Sequence, residues 1–308
     1  MTLCRTVHAA SIGAASIGAA AIGVLSALAA LALTACAAQA QAVSLPAVSL
    51  PWAASGWVKS HASTARLVAG ARSEAAARTV VAGVEVRLND GWKTYWRHPG
   101  DSGGVPPTFD WSGSANLRSA RVLFPVPARL VDANGTSIGY KKSVVFPVEI
   151  TPADPALPVQ LVLQFEYGIC REICVPAEAK FDVSVASDVA SLPPEVTTAL
   201  ARVPRPEASR LASDPGLKAA RAVLTGSAPG LAFDIVTGSA GADAELFVEA
   251  SDGGYLPMPQ KVGAASAGVQ RFRIDLKGVD ELPTLKGKTL QLTIAGANGG
   301  AEASWVVK

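Results

Sequence analysis

Cysteine is scarce in this sequence, with four among 308 residues. Cys4 and Cys36 fall in an apolar N-terminal stretch, which leaves Cys170 and Cys174 for everything that follows. So few thiols exclude a disulfide-built scaffold, and folding must rest on apolar cores. Aromatic residues are also few, at 6%, yet apolar residues together reach 49% and are enough to fill such cores. Charge of one sign is missing as well. The 27 Lys and Arg against 25 Asp and Glu give a net +2, so there is no basic surplus to hold nucleic acid. The chain has three histidines, and two thiols with a distant His98 fall short of a four-ligand zinc site. Neither a metal nor a cofactor is expected. No stretch after residue 42 is apolar enough to span a membrane.

What is present first is a targeting segment. Met1–His8 carries Arg5, and Ala9–Ala35 is an uncharged run made mostly of Ala, Ile, Leu, Gly and Ser. That run is long enough to cross a bilayer, for which about 20 residues suffice. Ala38-Gln39-Ala40 and Ala40-Gln41-Ala42 supply the small residues of a signal-peptidase cut. Leu33-Thr34-Ala35-Cys36 is similar to a bacterial lipobox, in which Cys36 is lipidated. A cleaved signal, a lipoprotein signal and an uncleaved anchor stay open, and all three export the rest of the chain.

The length suggests about two domains, and the patterning suggests that both are all-β. After the segment 1–42, residues 43–65 read as a Pro, Ser and Ala-rich leader, 66–190 as a first β-sandwich, 191–218 as a linker, and 219–308 as a second, smaller sandwich. Val80, Ala82, Val84, Val86 and Leu88 alternate as one face of a strand. Asn89-Asp90-Gly91 predicts a tight turn, with Trp92–Trp96 returning as the partner strand. Pro147 predicts an edge position or a bulge for Val144–Ile150. Short strands at this spacing point to an immunoglobulin-type sandwich. Pro193, Pro194, Pro204 and Pro206 flank one short helix, Glu195–Arg202, in the linker. The final pair of strands, Leu290–Val307 around Ala297–Gly300, echoes the cysteine-bearing hairpin, so the second sandwich reads as a divergent duplicate of the first.

That hairpin is the chemical centre of the sequence. Val159–Gln164 and Ala179–Val185 are β-prone and flank Tyr167-Gly168-Ile169-Cys170-Arg171-Glu172-Ile173-Cys174-Val175-Pro176. A disulfide across so short a spacing closes a very small ring, whose chain-entropy contribution is only about 2 kcal/mol. The bond then suits exchange, or else serves as an inert staple of an exported protein. Arg171 favours a thiolate at Cys170 and Glu172 opposes it, so the nucleophile stays open. Tyr167 is next to the pair in sequence and is expected to line it. Trp92, Tyr95, Trp96 and Trp111 are expected in the core, or as an apolar wall beside the thiols. His98 lies near Asp101, but no nucleophile elbow supports a hydrolase. The Gly100, Gly103 and Gly104 loop reads as turn chemistry.

Gly91-Trp92-Lys93-Thr94-Tyr95-Trp96-Arg97-His98-Pro99-Gly100-Asp101, Pro106-Pro107 with Asp110-Trp111, Ile138-Gly139-Tyr140 and the cysteine segment together resemble one family. It is the periplasmic N-terminal domain of the DsbD and ScsB transmembrane thiol:disulfide reductases, and the resemblance covers roughly Val80–Val185. It implies an immunoglobulin-like sandwich whose redox pair is Cys170 and Cys174. In that family the pair takes electrons from a membrane-embedded domain through a thioredoxin-like domain and passes them to periplasmic partners. The resemblance further implies a cap loop over the thiols at Asn134–Tyr140, with Ile138 or Tyr140 above the sulfurs. The best-known members place a Phe there and space the cysteines further apart. Nothing after Val185 resembles the membrane or thioredoxin domains, so a separate thioredoxin-like or membrane reductase partner is expected to supply the electrons. The leading expectation is an oxidoreductase-like electron relay. The alternative is an immunoglobulin-like interaction module with an inert disulfide.

Overall fold

The computed structural model describes residues 51–308 apart from 75–76, 134, 239–241, 280–281 and 298. The targeting segment with Cys36, and Asn134 of the expected cap, lie outside the described residues. The first sandwich has strands β1 (Ala53–Ala54), β2 (Val58–Ser60), β3 (Ser63–Glu74), β4 (Ala77–Leu88), β5 (Lys93–Tyr95) and β6 (Thr108–Asp110). It continues with β7 (Leu117–Val122), β8 (Ala128–Asp132), β9 (Gly135–Lys141), β10 (Ser143–Pro152), β11 (Val159–Cys170) and β12 (Cys174–Val185). One sheet has the order β1-β3-β4-β10-β7, with β2 beside β3. The other has the order β12-β11-β5-β9-β8, with β6 also on β11. Alternation assigns the faces. Val80, Ala82, Val84 and Val86 enter the core between the sheets, against Leu161, Leu163 and Phe165 of β11. Val81 points the other way.

Three expectations are corrected here. First, Trp92–Trp96 does not return along β4. Asn89–Gly91 is a crossover, with Gly91 at φ 82°, and β5 joins the opposite sheet between β11 and β9. Second, Pro147 sits in a central strand, since β10 pairs with β4 on one side and β7 on the other. Its missing N–H is tolerated because β7 has already ended there. The Pro147 carbonyl accepts from the Leu123 amide, at 2.7 Å, just past β7. Third, the leader is partly structural: Ala53–Ala54 pairs with Val68 and Ala69, and Val58–Ser60 with Ser63–Ala65.

The segment read as a linker carries helix α1 (Pro194–Leu200), with proline in its first turn, where a missing N–H does no harm. Val196, Leu192 and Leu200 cover Val68, Val81 and Val145 on the outer face of the first sheet. This segment therefore packs on the sandwich and does not run free. The second sandwich follows as β13 (Arg205–Pro206), β14 (Gly216–Val223), β15 (Gly230–Val236) and β16 (Ala244–Ala250). Its remaining strands are β17 (Gln260–Lys261), β18 (Val269–Asp275), β19 (Thr289–Gly296) and β20 (Gly299–Val306). They form two four-stranded sheets, β13-β20-β19-β16 and β14-β15-β18-β17, around Leu231, Phe233, Leu246, Phe272 and Leu292.

The two sandwiches share apolar contacts. Phe247, Met258 and Ala295 of the second belong to the core of the first, and Trp96 meets Phe247 at 5.7 Å between ring centroids. Arg97 donates to Glu249 at 2.8 Å, Glu302 at 3.0 Å and Thr293 at 3.1 Å. Arg129 reaches the Pro259 carbonyl at 2.7 Å. Asp101 accepts from the Tyr255 hydroxyl and the Met258 amide. The second sandwich thus braces the loop after β5 and the β8–β9 hairpin.

Candidate functional site

Strands β11 and β12 form a twelve-pair hairpin that ends on Cys170 opposite Cys174. Their Cα atoms are 4.1 Å apart and the sulfurs are bonded. So close an approach is what a non-hydrogen-bonded cross-strand pair provides, at about 4.5 Å. The loop between them is Arg171-Glu172-Ile173, with Ile173 73% exposed. The two cysteines differ sharply in access. Cys170 is 2% exposed and lies against β5, whereas Cys174 is on the outer strand and exposed. That asymmetry is absent from the sequence. It arises because β12 is the sheet edge and β11 is not.

Sheet register decides which side chains surround the sulfurs. Cys170 is paired with Lys93, and Lys93 with Lys141, so these three share the outer face. Tyr95, two residues from Lys93, shares it too. The Tyr95 hydroxyl lies 3.1 Å from Cys174 Sγ and, facing a disulfide sulfur, acts as the donor. Burial raises the Tyr95 pKa and the Asp132 carboxylate adds to this, so the hydroxyl keeps its proton through the neutral range. Behind it, Lys93 is only 4% exposed. Its Nζ donates to Asp132 at 2.6 Å and to Ser137 Oγ at 2.8 Å, and stands 5.9 Å from the centre of the Tyr95 ring.

The residues expected to cap or line the thiols have the opposite parity. Tyr140 pairs with Thr94 and turns into the sandwich core, where its ring meets Phe146 and its hydroxyl donates to the Pro125 carbonyl at 2.8 Å. Ile138 is 4% exposed in the same core, packed beside Gly100. Tyr167 stacks on Phe165 and hydrogen-bonds Ser63 at 2.8 Å. Neither Ile138 nor Tyr140 overlies the sulfurs, and Tyr167 does not line them. One residue of register separates each from the cysteine face.

A segment that does lie on this face is Gly104–Val105. Gly104, at φ 148°, presses on the Tyr95 ring, where a Cβ would collide with ring carbons. The Val105 carbonyl accepts from the Gly168 amide at 3.1 Å, and Gly168 has no room for a side chain against Val105. Val105 itself is 48% exposed beside the hairpin tip. Of the glycines read as turn chemistry, Gly104 is thus also what lets this segment lie flat on Tyr95. His98 Nδ1 accepts from the Gly100 amide at 3.4 Å. Of the aromatic group, Trp96 is core, and Tyr95 forms the wall beside the disulfide. Counting parity across β5 from Cys170 was the signal for Tyr95, but the β5–β11 pairing had to be known first.

With this geometry in place, comparisons with known proteins add an independent line. Residues 65–186 match the family model described as the N-terminal region of the thiol:disulfide interchange protein DsbD. Among solved structures, the N-terminal periplasmic domain of ScsB from Proteus mirabilis is similar in fold, with a TM-score of 0.59 at 20% identity. That similarity covers 82% of this chain and 98% of the other, so it reaches well past residue 186 into the second sandwich. No curated protein matches the sequence.

Proposed function

We propose that this chain, whose residues 65–186 form a domain of the DsbD N-terminal family, is an exported protein that relays electrons by thiol–disulfide exchange at Cys170 and Cys174. The observation that carries the reading is the unequal access of the two sulfurs, one buried and one presented at a hairpin tip next to a hydroxyl donor. The partners are periplasmic thiol or disulfide proteins, including a thioredoxin-like reductant. The periplasmic origin of the ScsB domain similar in fold supports that compartment. Export through the N-terminal segment, by cleavage at Ala-x-Ala or lipidation of Cys36, belongs to the same proposal.

The chemistry follows from access. A partner thiolate attacks the exposed Cys174 Sγ, the Cys170–Cys174 bond breaks, and Cys170 leaves as a thiolate. The partner's second thiolate then attacks the partner sulfur of the mixed disulfide and releases Cys174. Two electrons have moved to this chain, and the partner holds the disulfide. In the delivering direction the Cys174 thiolate attacks a target disulfide, and Cys170 resolves the intermediate by re-forming the bond to Cys174. The Tyr95 hydroxyl stabilises the charge on Cys174 at both stages.

Single replacements test this. Cys170→Ser leaves the accessible Cys174 without its resolving partner and should accumulate a mixed disulfide that reductant releases. Cys174→Ser should trap little, because Cys170 is buried. Both should fold, since the ring contributes only about 2 kcal/mol. Failure of both variants to trap a partner, with a reduction potential below about −300 mV, would make the bond an inert staple and the domain an interaction module.

A further inference from the structure

Lys93 is the least expected residue of this face. An ammonium at 4% exposure costs several kcal/mol unless it is paired, and an apolar residue in β5 would pack there without that cost. Its pairing is incomplete in a telling way. Of its three N–H groups, one is held by Asp132 and one by Ser137, and the third makes no hydrogen bond among the described residues, with the centre of the Tyr95 ring 5.9 Å from Nζ. Its cross-strand neighbour is Cys170. Directly opposed residues place their Cβ atoms about 4.5–5.5 Å apart on one face, within the swing of a four-carbon stem.

Cys170 has a matching need. When the disulfide opens, the leaving sulfur is a thiolate, and at 2% exposure water cannot solvate it. The other charged groups facing this position are few. Lys141 is in register with Lys93 but exposed, and Arg171 and Glu172 are exposed on the loop and within 3.7 Å of each other. Tyr95 is committed to Cys174. We propose that Lys93 is a positioning residue for the exchange: the internal counter-charge that receives the Cys170 thiolate, held ready by Asp132 and Ser137 while the disulfide is closed. The proposal rests on the exchange reading of the cysteine pair. It deepens that reading by giving the two sulfurs different stabilisers, Tyr95 for Cys174 and Lys93 for Cys170.

Two substitutions of opposite sign test it in the mature chain. Lys93→Met keeps the stem and removes the charge. It destabilises the thiolate, so the equilibrium with a dithiol reference such as dithiothreitol should shift about tenfold toward the disulfide, or about 30 mV more negative. Asp132→Asn frees the ammonium of its countercharge and should shift the same equilibrium toward the dithiol, with the Cys170 thiol pKa lowered. Asp132 is one-third exposed, so this variant should fold even if Lys93→Met does not. Lys93→Arg, which keeps the charge, should restore most of the wild-type value. Equal potentials and equal thiol pKa values in wild type and Asp132→Asn overturn the proposal, as does a Lys93→Met protein that folds and titrates like wild type. These differences are read against the wild-type potential. A wild-type value below about −300 mV removes the exchange reading itself, and is distinguishable from a null effect of Lys93.

Discussion

Replacing Tyr95 with Phe removes one oxygen from the site and leaves the ring against Gly104 and Gly168. The oxygen lies 3.1 Å from Cys174 Sγ. Toward a disulfide sulfur its hydrogen bond is weak, but toward a thiolate it becomes charge-assisted, worth about 1.5–3 kcal/mol. The surplus in the reduced state is then about 1–2 kcal/mol, and each pKa unit corresponds to about 1.4 kcal/mol. The Cys174 thiol pKa should rise by about one unit in Tyr95→Phe. The sign depends on Tyr95 being protonated, which its raised pKa ensures at neutral pH. The clean assay uses the Cys170→Ser background, in which Cys174 is the single thiol of the site, and follows thiolate ultraviolet absorbance against pH. The rate with a small disulfide at pH 7 should fall several-fold, in step with the lost thiolate. A Cys174 pKa within about 0.3 unit of the parent, given that one pKa unit is about 1.4 kcal/mol, would refute the reasoning. The Tyr95 contact would then be packing alone.

Two further outcomes follow from the scaffold. Arg97→Ala removes the guanidinium shared by Glu249, Glu302 and Thr293 across the two sandwiches. At 30% side-chain exposure the loss is discounted from the fully buried case to about 2 kcal/mol, and calorimetry should show a lower, broader transition as the sandwiches uncouple. Tyr140 has its pKa raised well above the ordinary value by burial, with Arg97 and Arg202 partly opposing. A raised folded-state pKa gives stability that is complete below the unfolded value of about 10 and lost as pH rises through the folded one. Tyr140→Phe should therefore cost about 1 kcal/mol at neutral pH through the Pro125 hydrogen bond, and flatten the alkaline fall in denaturant midpoint.

Local patterning carried much of this protein into view. Alternation in Val80–Leu88 and in the flanks of the cysteine pair is a property of each strand alone, so the strands and the β11–β12 hairpin were legible from residue order. So was the chemistry of two lone thiols, because a short hairpin brings Cys170 and Cys174 together without help from the rest of the chain. What surrounds them was not legible. Asn89–Gly91 has the residues of a hairpin turn, yet it passes the chain to the other sheet, because β4 already has β3 and β10 as neighbours. Only that crossover sets Lys93 against Cys170 and Tyr95 against Cys174. The same register turns Ile138, Tyr140 and Tyr167 inward, although the last is the nearest of them in sequence. A strand's side-chain period is two, so which face a residue occupies depends on the pairing of strands distant in sequence. The sequence by itself determined that two sulfurs meet. Tertiary pairing decided that one is buried, one exposed, and which side chains wait beside them.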